Sequence, residues 1–163
     1  FWISNTPDKE SKFDGAACYR ICSYAVLENK TTGFKYIHMN THLDHVSTEA
    51  QDLGGNLILN KSQELKKSYP DAKTVITGDF NQSIDGEAIK ILSANGFTSA
   101  NTVVENGDKI ATYHGWTGEK EDAPIDFIFA DDTMKIKSYN VQNEKIGNSF
   151  ASDHYMITAE IDF

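Results

Sequence analysis

Four short groups of His, Asp and Asn residues stand where apolar runs of the sequence end or begin, and they constrain the fold more than any other feature. They are NTHLDH at 40–45, GDFN at 78–81, Asp126 within IDFIF, and SDH at 152–154. Sites in α/β proteins usually lie where strands end and loops begin. The pattern therefore predicts a mixed α/β domain with an antiparallel component and one site at the ends of several strands.

Apolar periodicity predicts the individual strands. Segments 16–28 and 34–41 are rich in aromatic and β-branched residues and flank a turn at 29–33, which is a hairpin signal. The remaining predicted elements are strands at 74–77, 125–130, 134–142 and 155–162 and a short helix at about 85–95.

A longer helix is expected over about 47–69. Thr48 and Gln51 have the spacing of a capping box at its start. Gly54 and Gly55 each cost such a helix about 1 kcal/mol relative to Ala. We therefore expect a bend or a close backbone contact at these two positions.

Composition limits the classes of partner and the compartment. The 163 residues suit one domain, no apolar run is long enough to span a membrane, and the net charge of −9 disfavours bulk, non-specific binding to nucleic acid. Cys18 and Cys22 are expected about 13 Å apart on one strand, where they cannot form a disulfide. Reduced cysteines favour a cytoplasmic protein and leave secretion open.

The four groups offer chemistry, and each also has a plain structural interpretation. His42, Asp44 and His45 are able to bind a metal or move protons, or they simply end a strand. If the chain stays extended at 79–81, Asp79 and Asn81 point the same way while the residue between them faces the core. The alternative for that group is a turn.

The last two groups add acids beside histidines. Asp126 lies in so apolar a strand that it needs a partner such as a protonated His or a metal, unless it faces water at an edge. Asp153 and His154 are neighbours whose side chains diverge, so one is able to hold a metal while the other moves a proton.

Taken together and in this order, the four groups resemble the endonuclease/exonuclease/phosphatase superfamily. The opening FWISNTP and the later TYHGW at 112–116 also look like its bacterial members. The resemblance covers essentially the whole chain. It implies part of a four-layer α/β sandwich, in which helices flank two mixed, mainly antiparallel β-sheets that pack face to face. It also implies a divalent-metal-dependent hydrolase of phosphate esters, either a phosphodiesterase, a nuclease or a phosphatase.

The same resemblance implies roles for single residues. Asp79 would orient or deprotonate the attacking water, and Asn81 would hold the phosphate. His154, supported by Asp126, would stabilise the transition state or act as a base. His42 would contact the scissile phosphate. Asp153 and Asp79 would bind the metal ion, which is Mg²⁺ or alternatively Mn²⁺ or Ca²⁺. The resemblance gives no firm role to Asp44 and His45.

Three further residues are candidates for substrate binding. Arg20, in the first hairpin, is the sole Arg of the chain and so the sole guanidinium for a phosphate; a surface strand Arg is the alternative. His114 and Trp116 precede Asp126 and are able to stack on a ring, although loop packing is the more frequent role of such residues.

The chain also departs from the superfamily pattern. The metal-binding Glu and an Asn of the first half of the superfamily domain have no counterpart here, and neither does an Arg shortly after NTHLDH. We therefore expect residues 1–163 to be a single domain that is the C-terminal portion of a longer one, with its N-terminal portion as a partner. By itself it would bind Mg²⁺ weakly and turn over little.

Two other functions stay open at this stage. One is a binding module with the same fold and a degenerate site. The other is a dinuclear zinc hydrolase, because THLDH resembles part of a zinc motif, although the further histidines of such sites do not follow. The substrate is equally open among a short oligonucleotide, a lipid head group, and an inositol or sugar phosphate.

Overall fold

Two α-helices and seven strands make up the regular structure of the computed structural model, which describes residues 1–118 and 123–162. The helices are α1 (Thr48–Ser68) and α2 (Glu87–Ser93), and short 3-10 helices occupy Ala100–Val103 and Gly107–Lys109. The strands are β1 (Cys22–Glu28), β2 (Lys35–His42), β3 (Lys73–Asp79), β4 (Phe97–Ser99), β5 (Asp126–Asp131), β6 (Lys135–Gln142) and β7 (Met156–Asp162).

The strands form two sheets. The larger has the order β1-β2-β3-β5-β4, with β2 and β3 parallel and its other neighbours antiparallel, and β6 and β7 form an antiparallel pair. The predicted mixed α/β class, with two mainly antiparallel sheets and flanking helices, is confirmed. The four-layer arrangement stays a prediction.

The two faces of the larger sheet are buried by different partners. Because successive side chains of a strand point to opposite faces, alternate residues of β2, β3 and β5 meet the helices. That core contains Ile37, Met39, Ile76, Phe127 and Phe129 together with apolar residues of α1 and α2. On the other face Val75 and Ala130 pack with Met134, Ile136 and Ile161, beside the smaller sheet.

The start of α1 differs from the predicted capping box. Ser47 is the N-cap, and its Oγ accepts a hydrogen bond from the Ala50 amide at 3.2 Å. Gln51 is buried, and its side-chain amide donates to the carbonyl oxygens of Asp44 at 2.7 Å and Asn81 at 3.2 Å. Gln51 therefore joins the loops after β2 and β3 instead of closing a box with Thr48.

The glycine pair of α1 makes the close contact that the sequence predicted. A Cβ added to Gly55 would lie 2.7 Å from the Cβ of Ala88 in α2 and 2.8 Å from its Cα. A Cβ on Gly54 would meet the flexible ends of Leu43 and Ile3 at 2.9 and 3.0 Å. Gly55 thus allows α1 and α2 to approach closely.

The first predicted strand was too long. Residues 16–21 form a loop, and β1 begins at Cys22, so Cys18 and Cys22 do not share a strand. The loop departs from the strand because the amide of Cys18 donates to Asp44 Oδ2 at 2.9 Å. Both thiols are free, and burial raises the pKa of Cys22 to about 12.

Elsewhere the predicted strands and helices agree with the observed ones to within two residues at each end. The short strand β4 and the 3-10 helices were not predicted, because three- and four-residue elements have too little periodicity to detect. Within the described residues, neither helix combines the length and the apolar character that a membrane crossing requires.

Candidate active site

Three predicted site residues lie in one row across the larger sheet. The β2–β3 register places His42 opposite Asp79, and the β3–β5 register places Asp79 opposite Asp126. Their chain neighbours Thr41 and Phe127 are buried on the helical side, so the row lies on the face turned away from the helices. The pairing of three strands therefore brings together residues that are far apart in the sequence.

His154 completes the group from the segment before β7. Its Nδ1 lies 2.8 Å from Asp126 Oδ2, and its Nε2 lies 3.8 Å from Asp79 Oδ2. On the opposite side, His42 Nε2 lies 3.2 Å from the same Asp79 oxygen. The Asp79 carboxylate thus stands between two imidazoles, and Asp126 has the histidine partner that its apolar strand required.

The electrostatic environment shifts the pKa values of Asp79, His154 and His42 in different directions. Burial, followed by the nearby charge of Asp126, raises the pKa of Asp79 to about 6. Burial lowers the pKa of His154, but the hydrogen bond and charge of Asp126 outweigh this effect and raise it overall. Burial and then the charge of Arg20 lower the pKa of His42. The group therefore combines a carboxyl group whose pKa is raised to about 6, a histidine whose pKa is raised and a histidine whose pKa is lowered.

An open groove of about 380 Å³ lies over the row. Its wall includes His42, Asp79 and Asp126 together with Asn40, Thr77 and Ile128 of the same three strands. The groove gives the Asp79 carboxylate access to solvent and to a small ligand.

Asn81 does not have the extended backbone that the sequence predicted. It adopts a left-handed conformation with φ of +51°, its amide donates to Asp79 Oδ1 at 2.8 Å, and its side-chain Nδ2 donates to the Leu43 carbonyl at 3.0 Å. Phe80 faces the core as expected. Asn81 thus fixes the orientation of Asp79 and joins the ends of β2 and β3.

Asp153 lies beside the group without entering it. The carboxylates of Asp79 and Asp126 and a ring nitrogen of His154 lie within 4.8 Å of one another, which makes them a candidate metal cluster. The Asp153 side chain instead accepts a weak bond from Ser152 Oγ at 3.3 Å. Its part in metal binding stays a prediction.

The loop before β5 separates the two aromatic candidates. His114 is buried between Tyr155 and Phe150, at ring distances of 4.2 and 4.4 Å, and neither of its ring nitrogens has a hydrogen-bond partner in the described part of the chain. Trp116 is 61% exposed. The position of His114 is that of a packing residue, whereas Trp116 is accessible to a ligand.

Two residues of the same loop were missed as members of the site. Thr112 is fully buried, and its Oγ1 accepts from the amides of Ile125 at 3.1 Å and Asp126 at 3.2 Å. The ring of Tyr113 stands edge-on to His154 at 5.0 Å. The sequence signal was their place in the TYHGW segment, but which residues of it would face the site depends on tertiary contacts.

Asp44 has a structural task. Its Oδ1 accepts from the amides of Val46 and Ser47 and its Oδ2 from that of Cys18, each at 2.9 Å. Burial raises the pKa of Asp44, but these backbone hydrogen bonds outweigh burial and lower it to about 2. Cys18, Asp44 and His45 form a second compact group, yet the carboxylate of Asp44 is already occupied by amides. This geometry disfavours the zinc interpretation of THLDH.

Comparison with known proteins agrees with the motifs. The chain superposes on the mannosyl-6-phosphatase of Bacteroides thetaiotaomicron VPI-5482 with a TM-score of 0.88 and 26% identity, over 100% of this chain and 64% of that one. An endonuclease/exonuclease/phosphatase from Bacteroides vulgatus gives 0.83 and 26%, over 99% and 63%. The catalytic domain of human Nocturnin gives 0.69 and 20%, over 90% and 54%, which shows a shared fold.

The chain therefore has the fold of the endonuclease/exonuclease/phosphatase family, and the resemblance inferred from its motifs is confirmed. It spans less than two thirds of the length of these solved proteins. No family model and no curated protein matches it.

Proposed function

We propose that this chain provides the catalytic site of a divalent-metal-dependent hydrolase of phosphate esters. The observation on which this proposal rests is the Asp79 carboxylate, which lies between His42 and His154 and opposite Asp126 in the sheet. In the reaction, water attacks phosphorus in line, a new P–O bond forms, and the ester oxygen departs. The names of the related structures, which include a phosphatase, support this class of reaction.

The donor atoms of the site suit a hard cation. Mg²⁺, Mn²⁺ and Ca²⁺ prefer oxygen ligands, and Asp79 and Asp126 place carboxylate oxygens within 4.8 Å of each other. Two ionised carboxylates this close repel each other, and a bound cation would relieve that repulsion. Asp79 is the principal candidate ligand, with Asp126 and the neighbouring Asp153 as the others. When bound, the ion neutralises charge on the phosphate and on the leaving oxygen.

The protein groups divide the remaining tasks. Asp79 orients the attacking water and accepts its proton, since its carboxylate stands between two imidazoles and opens on the groove. His154, held by Asp126 at 2.8 Å, presents a charged imidazole to a phosphate oxygen in the transition state. His42 contacts the scissile phosphate. Asn81 holds Asp79 in place through its amide and is a candidate to assist phosphate binding.

The substrate belongs to the same proposal. An oligonucleotide, a lipid head group and a sugar phosphate all contain the phosphate that this site recognises. The name of the Bacteroides mannosyl-6-phosphatase makes a sugar phosphate the first class to test. Trp116, an exposed residue of the loop before β5, is a candidate to stack on the sugar or base.

Replacing Asp79 tests the function. In the longest form of the protein that its gene encodes, Asp79→Asn should lower kcat/KM for p-nitrophenyl phosphate by roughly 100-fold or more, because the base is lost while the shape is kept. Asp71→Asn removes a carboxylate from an exposed loop and should leave the rate unchanged. Activity should vanish in EDTA and return with Mg²⁺.

Two results would contradict the proposal. Asp79→Asn would retain the rate if the base were elsewhere, and activity would persist in EDTA if no divalent ion were needed. A non-catalytic binding module would show no metal-dependent turnover in the unmodified protein on any of the phosphate esters tested.

A further inference from the structure

We infer that Arg20 and His45 form an anion subsite beside the catalytic row, and that this subsite makes the site prefer a phosphate monoester over a diester. The inference rests on the proposed function and names the substrate class of that site. We call the pair the Arg20–His45 subsite.

Arg20 has no ion-pair partner among the described residues, although its charge acts on the Asp79 carboxyl group and lowers the pKa of that group. Its Nη2 lies 3.4 Å from His45 Nδ1, which accepts the hydrogen bond. Its Nε is buried without any hydrogen-bond partner, and in the part of the chain that the structure describes it forms no ion pair with a carboxylate. A partly buried guanidinium without an anion is costly, so an anionic ligand that meets the solvent-exposed part of the Arg20 side chain would stabilise it, although the buried Nε stays beyond the ligand's reach.

The subsite is held by a rigid frame. Asp44 joins the segment before β1 to the turn before α1 through three amide hydrogen bonds of 2.9 Å. Thr41 Oγ1 donates to the Ile21 carbonyl at 3.1 Å on the other side of Arg20. Asp44 thus holds together the segments that carry Arg20 and His45, and within the described residues its carboxylate forms no hydrogen bond or ion pair with either side chain.

One bound ligand would reach both the Arg20–His45 subsite and the row of His42, Asp79 and Asp126. β1 runs antiparallel to β2 with Cys22 opposite Thr41, so Arg20, two residues before Cys22, lies beside the end of β2 at His42. The charge of Arg20 accordingly helps to lower the pKa of His42. Arg20 is also the sole arginine in a chain of net charge −9, so its place here cannot be attributed to a generally basic surface. A phosphate bound against His42 would therefore be within the influence of Arg20.

Charge explains why a monoester is favoured. A terminal phosphate has a charge between about −1.5 and −2 at pH 7 and three free oxygens. A diester has a single charge and two free oxygens. An arginine fork pairs with two oxygens at once, which leaves a third for the catalytic row only when the phosphate is terminal.

Equilibrium binding tests the inference without any turnover. The probes are inorganic phosphate and dimethyl phosphate, titrated calorimetrically at pH 8 in EDTA, so that no metal bridges the ligand. The unmodified chain should bind phosphate more tightly than dimethyl phosphate. Arg20→Gln should weaken phosphate binding by about 10-fold or more and dimethyl phosphate binding by less. The ratio of the two affinities should therefore be smaller in Arg20→Gln than in the unmodified chain.

Two further variants show whether phosphate affinity depends on Arg20 itself or only on the net charge of the chain. Lys35→Gln removes the same charge at the far end of β2, about 23 Å from His42 along the strand, where Lys35 pairs with Glu28 at 3.4 Å. It should change phosphate affinity by less than about twofold. Arg20→Lys keeps the charge but loses the fork and should give an intermediate affinity, with an unfolding midpoint that shows an intact fold.

Three results would overturn the inference. They are unchanged phosphate binding in Arg20→Gln, equal weakening in Lys35→Gln, and equal weakening of both probes in Arg20→Gln. A different set of results would show that the proposed hydrolase function is wrong while the anion subsite is real. The unmodified protein would then hydrolyse no ester with Mg²⁺, while the binding preference and its loss in Arg20→Gln would still be observed.

Discussion

At the scale of single residues, Asp79 shows how a catalytic requirement conflicts with folding. Its side chain is 12% exposed and lies beside a second carboxylate, and both conditions disfavour its charged form. The Asn81 amide, the His154 ring and the charge of Arg20 counter this only in part. The residue that the proposed reaction needs is therefore one that the metal-free fold tolerates poorly when it is ionised.

Asp79→Asn should accordingly stabilise the metal-free chain at pH 8. The folded-state pKa of about 6 exceeds the unfolded value of 3.8, so ionisation opposes folding. The penalty is absent below pH 3.8, grows between 3.8 and 6, and is complete above 6. We expect a gain of about 1–3 kcal/mol in the free energy of unfolding, measured by urea denaturation in EDTA.

The pH dependence supplies the control for that measurement. At pH 4 the two proteins should differ by less than about 0.5 kcal/mol, because Asp79 is then protonated in the folded state. Asp71→Asn should show no gain at pH 8. A loss of stability in Asp79→Asn at pH 8 would contradict the electrostatic account of this residue.

At the scale of elements, the contact of α1 with α2 depends on a single missing side chain. Gly55 is a poor helix former, yet a Cβ there would lie 2.7 Å from the Cβ of Ala88 and close to its backbone. The helices would have to move apart to admit a methyl group. The sequence pair Gly54-Gly55 therefore reflects packing, and only Gly55 faces a rigid neighbour.

Gly55→Ala should destabilise the chain by about 1–3 kcal/mol, even though Ala is favoured by about 1 kcal/mol in a helix. Gly54→Ala is the matched comparison, because the added Cβ would meet the movable ends of Leu43 and Ile3. It should cost less than Gly55→Ala by at least about 1 kcal/mol in urea denaturation. Equal effects would show that α1 and α2 adjust freely.

At the scale of the whole molecule, metal binding and stability should be linked. A ligand at ten times its dissociation constant adds about 1.4 kcal/mol to the stability of the protein that binds it. For a chain of this size, Mg²⁺ at that level should raise the unfolding midpoint by about 3–6 °C at pH 8. Differential scanning calorimetry measures this shift.

Protons compete with the metal for Asp79, and this sets the pH range of the effect. The pKa of Asp79 near 6 means that the shift should be nearly full at pH 8 and fall markedly by pH 5. Asp79→Asn should remove it at both pH values. A shift that is equal at pH 5 and pH 8, or that survives in Asp79→Asn, would place the metal elsewhere.

Periodicity and strand-end chemistry predicted most of the fold and the central residues of the site, because His42, Asp79 and Asp126 each occupy the end of an apolar run. The left-handed Asn81, the Ser47 cap and the loop position of Cys18 were not predicted, since each is decided by a hydrogen bond to a distant segment. The pairing of Arg20 with His45 has the same origin. Local sequence shows which residues are available, and tertiary contacts decide which of them meet.

The row across β2, β3 and β5 makes strand register a condition for chemistry. β3 pairs with a strand that precedes α1 and with one that follows α2, so its insertion joins the two halves of the described chain. A slip of β3 by one residue would turn Asp79 toward the helices and present its apolar neighbour Phe80 or Gly78 to the groove. A misfolded copy therefore has no assembled site, and errors of folding produce an inert polypeptide instead of an enzyme that attacks phosphate esters indiscriminately.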